Sequence, residues 1–373
     1  MANANKNLMP FREYMRLWLY QQNDSRGYYA NNNHQRIGKK GDFYTSVSVS
    51  KFFGGAIAHY IIMLLEKEIL KLPLCIVEIG SNNADLISDI AEFLTAFNKE
   101  VFQQCAFYTL EPLQSLQYLQ QQTFTTRITS RFHKQLHTFT TLENIQSFIQ
   151  SQYPCNQSST NARLTDTFFI SNELLDSMPC DVVLHNQMLF VDSQNQSLQN
   201  PSFVWKDIAP EVREFCDMYQ IRDVEVSLAL KDFVQTLTQF QARKWIFLTF
   251  DYGEFISRDM NLRLYHEHNV YNFYEELQQE NIPSFYQKSD ITYDVNFGLL
   301  QQLFAHYHAE CLFCATQANV LIQECKILEI FELFAQQFNA QTKLKQQVKL
   351  RGLIAPNAMG ERFKSACFIG GIN

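Results

Sequence analysis

No stretch of this sequence stays apolar for the roughly 18 residues that a membrane-spanning helix needs. The longest apolar run, "FFGGAIAHYIIMLL", is interrupted by His59 and Tyr60. The opening "MANANKNLMPFREYM" has neither the apolar stretch of a signal peptide nor the Arg/Ser-rich pattern of a transit peptide, so the cytoplasm is the expected location. A basic surface is missing too. Lys and Arg number 31 against 38 Asp and Glu, a net charge of −7, and the cluster "RIGKKGD" is short. That balance argues against a nucleic-acid partner. The nine cysteines are odd in number and scattered, which fits reduced thiols and not a disulfide framework. "CLFC" (Cys311 to Cys314) is a lone C-x-x-C and reads as strand residues, because a zinc site would need a second pair of ligands. The pairs His266/His268 and His306/His308 have no carboxylate at ligand spacing, so no metal is expected. No internal repeat is present.

What the sequence does have is apolar material for a large core. Hydrophobic residues make up 46% of its 373 residues, including 32 Phe and 17 Tyr. Residues 1–70 read as a helical N-terminal region: "MPFREYMRLWLYQ" has apolar residues at helical spacing, and "KFFGGAIAHYIIMLLEKEIL" is a strongly apolar helix. From residue 71 to 373, strands and helices alternate, the pattern of an α/β fold with a parallel sheet. "LCIVEIG", "CAFYTLEP", "DTFFISNE", "KWIFLTFDYG", "AECLFCATQ" and "RFKSACFIGG" read as strands. "ADLISDIAEFLTAF", "LQSLQYLQQQ" and "QECKILEIFELFAQQF" read as helices, and the glutamine runs as solvated helix faces. Residues 181–243 and 254–297 interrupt the rhythm and read as insertions. "SQYPCNQSSTNARLTD" reads as a surface loop.

Ligands of an open parallel sheet bind at the carboxyl ends of its strands. The first strand ends "VEIGSNN", where Gly80 supplies a tight turn before a helix N-terminus. A dinucleotide loop would need G-x-G-x-x-G, and this one has a single glycine. S-adenosylmethionine has no phosphate and asks less of its loop. Glu78 supplies an acid, Asn82 is the mildest non-glycine residue for a left-handed backbone, and Ala84 keeps the helix close to the sheet. An ordinary strand-turn-helix is the plain alternative. The second strand ends "YTLEP", and Glu111 there can accept hydrogen bonds from both ribose hydroxyls of an adenosyl or nicotinamide cofactor. "ISNELLDSMP" gathers Asn172, Glu173 and Asp176 at another strand end. Paired carboxylates can grip a guanidinium; equally, they can be acids in the first turn of a helix. "LTFDYG" places Asp251 and Tyr252 at a further strand end. "GDFYTS" (Gly41 to Ser46) reads either as a loop that closes over a cofactor or as a capped helix start.

Taken together, these segments resemble the MidA-like family of S-adenosylmethionine-dependent methyltransferases. Its mitochondrial members are complex I assembly factors that act as protein arginine methyltransferases. The resemblance runs nearly end to end and is carried by "FREYMRLWLY", "GYY", "GDFYTS", "VEIG", "LEP", "SNELLDSMP", "LTFDYG", "LRLYHEH", "DITYDVNF", "ATQ" and "MGERFK". It implies a Rossmann-like, seven-stranded class I methyltransferase sheet, with a helical N-terminal region and insertions. S-adenosyl-L-methionine is the implied cofactor, contacted by Gly41, Phe43, Thr45, Ser46, Glu78, Gly80, Asn82, Glu111 and Pro112. The implied catalytic residues are Asn172, at the junction of cofactor and substrate, and Glu173 and Asp176, which would hold an arginine side chain of a protein substrate. A homodimer is compatible with the acidic, aromatic-rich composition.

The departures from the family pattern are local. The first loop of the family reads like E-L-G-x-G-x-G-x-L, whereas this one reads "EIGSNNADL". Val47 follows "GDFYTS" where Pro is usual. The late motif reads like D-L-T-A-H-V-D-F in the family; here Asp294 stands for His and Asn296 for Asp. Two function classes therefore stay open: a methyltransferase, and a methyltransferase-fold protein that binds a partner without catalysis. A nicotinamide-dependent oxidoreductase lacks its phosphate-binding glycines.

Overall fold

The computed structural model describes residues 8–22, 26–31, 45–152, 164–192, 198–256 and 259–372. The chain divides into two compact units. The larger comprises residues 45–174, 235–251 and 304–373, the smaller residues 1–44, 175–234 and 252–303. The stretch 1–70, read from sequence as one region, is thus split at residue 45, and the insertion segments contribute residues 181–234 and 254–297 to the smaller unit.

The larger unit is built on β1 (Leu74–Ile79), β2 (Cys105–Leu110), β3 (Leu136–Phe139), β4 (Asp166–Asn172), β5 (Trp245–Glu254), β6 (Glu310–Thr316) and β7 (Phe363–Gly370). Their order is β6-β7-β5-β4-β1-β2-β3. β3, β2, β1, β4 and β5 pair in parallel, and β6 pairs with β7 antiparallel. A two-residue strand, Val295–Asn296, runs parallel to the end of β5 and makes eight strands among the described residues. All six residues of β1 are buried. That explains its apolar run, interrupted only by Glu78, since a strand covered on both faces has no polar side to alternate with.

Helix α1 (Phe52–Glu66) packs on α2 (Asp85–Phe97) at close range. A Cβ at Gly54 would stand 2.5 Å from Asp89 Cβ, and glycine is what permits the approach. α3 (Gln114–Phe124) follows β2, and α4 (Leu142–Gln152) follows β3. The segment "QECKILEIFELFAQQF" is not one continuous helix: a turn of π-helix, Val320–Glu324, gives way at Lys326 (φ +57°) to a helix over Ile327–Ala335.

From β1 the chain steps outward through β2 and β3. It then returns to the other side of β1 with β4 and β5. The reversal lies between β1 and β4, and the carboxyl ends at such a switch point are where α/β sheets bind ligands.

The smaller unit holds one five-stranded and one three-stranded sheet. The helix Phe11–Tyr20 lays Phe11, Tyr14, Met15 and Trp18 into its aromatic core. Tyr14 stacks on Tyr286 at 4.7 Å, and the Trp18 indole N–H donates to the Ser289 carbonyl at 2.8 Å.

Candidate functional site

The first strand end keeps a glycine-loop backbone with only the first of its three glycines. Gly80 has φ +71°, Asn82 +44° and Ala84 +62°. Set against the family spacing E-L-G-x-G-x-G-x-L, these are the three glycine positions. A left-handed conformation costs an alanine about 1–2 kcal/mol and an asparagine less, so the loop holds this shape against local preference. Several bonds hold it. Ala84 N–H donates to the Ser81 carbonyl at 2.8 Å, and Ser88 Oγ donates to the Ala84 carbonyl at 2.6 Å. Glu78 Oε2 accepts from Ser81 Oγ at 2.7 Å and from the Ile87 amide at 3.0 Å, inside the first turn of α2. Burial pushes the Glu78 carboxyl up to about 8, partly opposed by those two hydrogen bonds. Asn82 and Asn83 are half-buried.

The second strand end carries Glu111, 4% exposed. Its Oε1 accepts the Leu113 amide at 3.0 Å, and its Oε2 accepts Gln120 Nε2 at 3.3 Å. Pro112, next to it, is exposed. Gln120 also donates to the Asn82 carbonyl at 3.1 Å and accepts from Thr109 Oγ1 at 2.7 Å. The sequence reading placed the glutamine runs on solvated faces, and Gln120 corrects it: the residue is fully buried. The signal was present. Leu116, Gln120 and Phe124 recur every fourth residue, so Gln120 sits on the inward stripe of α3.

The fourth strand ends in a second strained residue. Glu173 has φ +53°. Its Oε1 accepts the Ser46 amide at 3.0 Å and Asn172 Nδ2 at 2.8 Å. Asn172 Oδ1 is buried and has no hydrogen-bond partner among the described residues. An orphaned buried acceptor costs about 1–3 kcal/mol, and a bound donor would recover it. The Leu174 amide donates to Asp251 Oδ2 at 3.0 Å, so the end of β5 steadies the turn after Glu173. The Leu174 side chain covers Gly80.

Gly41 and Phe43 lie outside the described residues. Thr45 begins the short helix Ser46–Val49 with a capping box: its Oγ1 accepts the Ser48 amide at 3.2 Å while Ser48 Oγ accepts the Thr45 amide at 3.0 Å. Ser46 Oγ donates to Gln317 Oε1 at 3.1 Å and lies 3.8 Å from Met359 Sδ. Gln317 belongs to "ATQ" and Met359 to "MGERFK", so four of the sequence motifs meet around Ser46. Neither residue was singled out from sequence, because nothing local marks a pairing across 271 positions.

Asp176 belongs to the smaller unit, in the turn Leu175–Ser177, and is buried. Its carbonyl accepts the Tyr293 amide at 3.1 Å. The two changes in the late motif have structural work there. Asp294 Oδ1 takes Arg263 Nη2 at 2.6 Å, and Asn296 Oδ1 accepts the Leu299 amide at 2.9 Å, capping the helix Phe297–His306. Asparagine caps a helix as well as aspartate does.

A family model for S-adenosyl-L-methionine-dependent methyltransferases matches residues 56–313. The chain belongs to this family. The methyltransferase is 23% identical over 403 residues to "Protein arginine methyltransferase NDUFAF7 homolog, mitochondrial" of Drosophila melanogaster, a match covering 98% of this chain and 82% of the fly protein. It is 24% identical over 354 residues to "Protein arginine methyltransferase NDUFAF7, mitochondrial" of Rattus norvegicus, covering 91% and 77%. In fold it is similar to a Burkholderia thailandensis protein crystallised with S-adenosyl-homocysteine. That TM-score is 0.76 at 20% identity, over 98% of this chain and 89% of the other. The fold class read from sequence, an α/β methyltransferase sheet, is therefore the observed one.

The residues at the switch point fit the family's cofactor. A left-handed turn precedes a helix N-terminus, the neighbouring strand ends in a buried carboxylate, and Asn172 Oδ1 has no hydrogen-bond partner among the described residues. Among the described residues no helix is long and apolar enough to cross a membrane.

Proposed function

We propose that this methyltransferase transfers a methyl group to an arginine side chain of a protein substrate. The observation that carries the cofactor half of this reading is the run of three left-handed residues at 80, 82 and 84, which reproduces a glycine-loop backbone with only the first of its three glycines. The arginine half is supported by the names of the fly and rat relatives. Bound S-adenosylmethionine supplies an electrophilic methyl group on a sulfonium. The chain's part is positioning and electrostatics. Glu111 is assigned to the ribose hydroxyls. The amides after Gly80, with Asn82 and the Glu78-braced turn, are assigned to the methionine end. Gly41, Phe43, Thr45, Ser46 and Pro112 remain assigned to the cofactor's surroundings, and Asn172 Oδ1 to its amino group or to the incoming acceptor. Glu173 remains assigned to the acceptor guanidinium, and Asp176 keeps its assignment from sequence to the arginine side chain.

A cytoplasmic location belongs to the same proposal. None of the eight described cysteines forms a disulfide, in keeping with a reducing compartment. A role in respiratory complex assembly, implied by the family resemblance, is included on the same terms. The net charge of −7 supports a protein partner over nucleic acid. Calorimetric titration of the purified chain with S-adenosylmethionine and S-adenosylhomocysteine tests the cofactor half, with micromolar binding expected. Folded protein that binds neither would overturn it in favour of a partner-binding role. Methylarginine mapping by mass spectrometry, with and without the gene in the host cell, tests the acceptor. Sites that change only on residues other than arginine would overturn that part.

A further inference from the structure

We infer that Gln120 is a positioning residue for the cofactor, acting through Glu111; the inference rests on the cofactor reading above. Gln120 is fully buried in α3, yet its amide is engaged on every side. Thr109 Oγ1 donates to Oε1 at 2.7 Å, which fixes the direction of the amide. The two Nε2 protons are then directed to Glu111 Oε2 at 3.3 Å and to the Asn82 carbonyl at 3.1 Å. One side chain thereby ties the carboxylate at the end of β2 to the loop at the end of β1.

A hydrocarbon would fill this place on the stripe between Leu116 and Phe124 without the need for partners. A buried amide is tolerable only when it is satisfied, and its satisfaction specifies the geometry of the groups that satisfy it. The Leu113 amide holds Glu111 Oε1 and Gln120 holds Oε2. Each carboxylate oxygen can accept more than one hydrogen bond, and these two contacts, one on each oxygen, set the plane of the carboxylate. A fixed plane is what two vicinal ribose hydroxyls require for simultaneous donation. The bond to Asn82 has a second effect. A glycine at that position would need no support, whereas an asparagine at φ +44° is held by its own carbonyl, which accepts from Gln120 of α3.

The test is calorimetric titration of the unaltered chain and of Gln120→Met with two ligands, S-adenosylhomocysteine and its 2′,3′-dideoxy analogue. Methionine keeps the length and apolar packing of the side chain but has no donor. The unaltered chain is expected to prefer the hydroxylated ligand, and Gln120→Met to reduce that preference about tenfold. A merely structural role would weaken both ligands alike and leave the ratio unchanged, which would overturn the inference while the cofactor reading stands. Failure of the unaltered chain to bind either ligand would overturn both. Circular dichroism checks that the variant folds. If it does not, Thr109→Val removes the bond that directs the amide and reads the same ratio, with the same two outcomes.

Discussion

Leu174 lies over the bare Cα of Gly80, so near that a Cβ built there would stand 2.7 Å from Leu174 Cδ1. The turn after β1 and the segment after β4 are thus fitted to one another across the switch point. Gly80→Ala meets both this contact and a backbone at φ +71°. The substitution is expected to lower stability by about 1–2 kcal/mol and to weaken S-adenosylhomocysteine binding at least roughly tenfold, since the displaced loop cannot present its amides. Urea unfolding and calorimetry read the two effects. Unchanged affinity would remove the loop from the cofactor site.

Ala84→Gly should act in the opposite direction. Alanine is held at φ +62° as the residue before α2, and glycine adopts that conformation freely. The gain is expected to be about 1 kcal/mol, less the extra chain entropy of glycine. A urea midpoint lower than that of the unaltered chain would show that no strain is held there.

Glu78 makes stability depend on pH. Burial raises its carboxyl from an ordinary 4.5 to about 8, and burial also raises Asp89 to about 6 despite its pairing with Arg127. A carboxyl raised in the folded chain keeps a proton that the unfolded chain releases. Stability is therefore greatest below the unfolded value and falls as pH rises through the window from about 4.5 to 8. Glu78→Gln retains an acceptor oxygen for Ser81 and Ile87 and cannot ionise. Its urea midpoint should vary less between pH 5 and 8 (roughly the span of the two titrations). A slope equal to that of the unaltered chain would show that Glu78 titrates elsewhere.

Glu111→Ala and Asp176→Ala should separate the two halves of the proposed reaction. The first removes a charge-assisted acceptor of about 1.5–3 kcal/mol and is expected to weaken S-adenosylmethionine binding by roughly tenfold or more. The second is expected to leave that binding intact and to abolish methyl transfer. Equal affinity in the first would relocate the ribose, and full activity in the second would take Asp176 out of the acceptor site.

The inner strands were legible because burial on both faces leaves a nearly continuous apolar run, as in "LCIVEI". β3 was not, because "LHTF" is an edge strand with one buried residue and no alternation to read. The α4 segment after it passed unread although Leu142, Ile145 and Ile149 recur at helical spacing. Glu111 and Glu173 could be found at strand ends because a parallel sheet delivers its ligands there. What the sequence left open was how these groups are held. Gln120 was hidden inside a run of identical residues, and its partners Thr109 and Asn82 become neighbours only when β1 and β2 pair. The loss of two glycines from the first loop also reads differently in three dimensions. Sequence registers a missing residue type, while the backbone retains the conformation that type was needed for.

The family match begins at residue 56 and ends at residue 313. Ser46 precedes it, while Gln317, Leu353 and Met359 follow it. Yet Ser46 donates its amide to Glu173 and its hydroxyl to Gln317, whose Nε2 donates to the Leu353 carbonyl at 2.9 Å. β7, the neighbour of both β5 and β6, also comes after the match. A fragment trimmed to residues 56–313 would keep Gly80, Glu111 and Glu173 and lose Ser46, which braces Glu173. Its sheet would have a gap one strand wide, and the carboxylate of Glu173 would lose the amide that now holds it. The support of Glu173 thus comes from segments on both sides of the span that the family model covers.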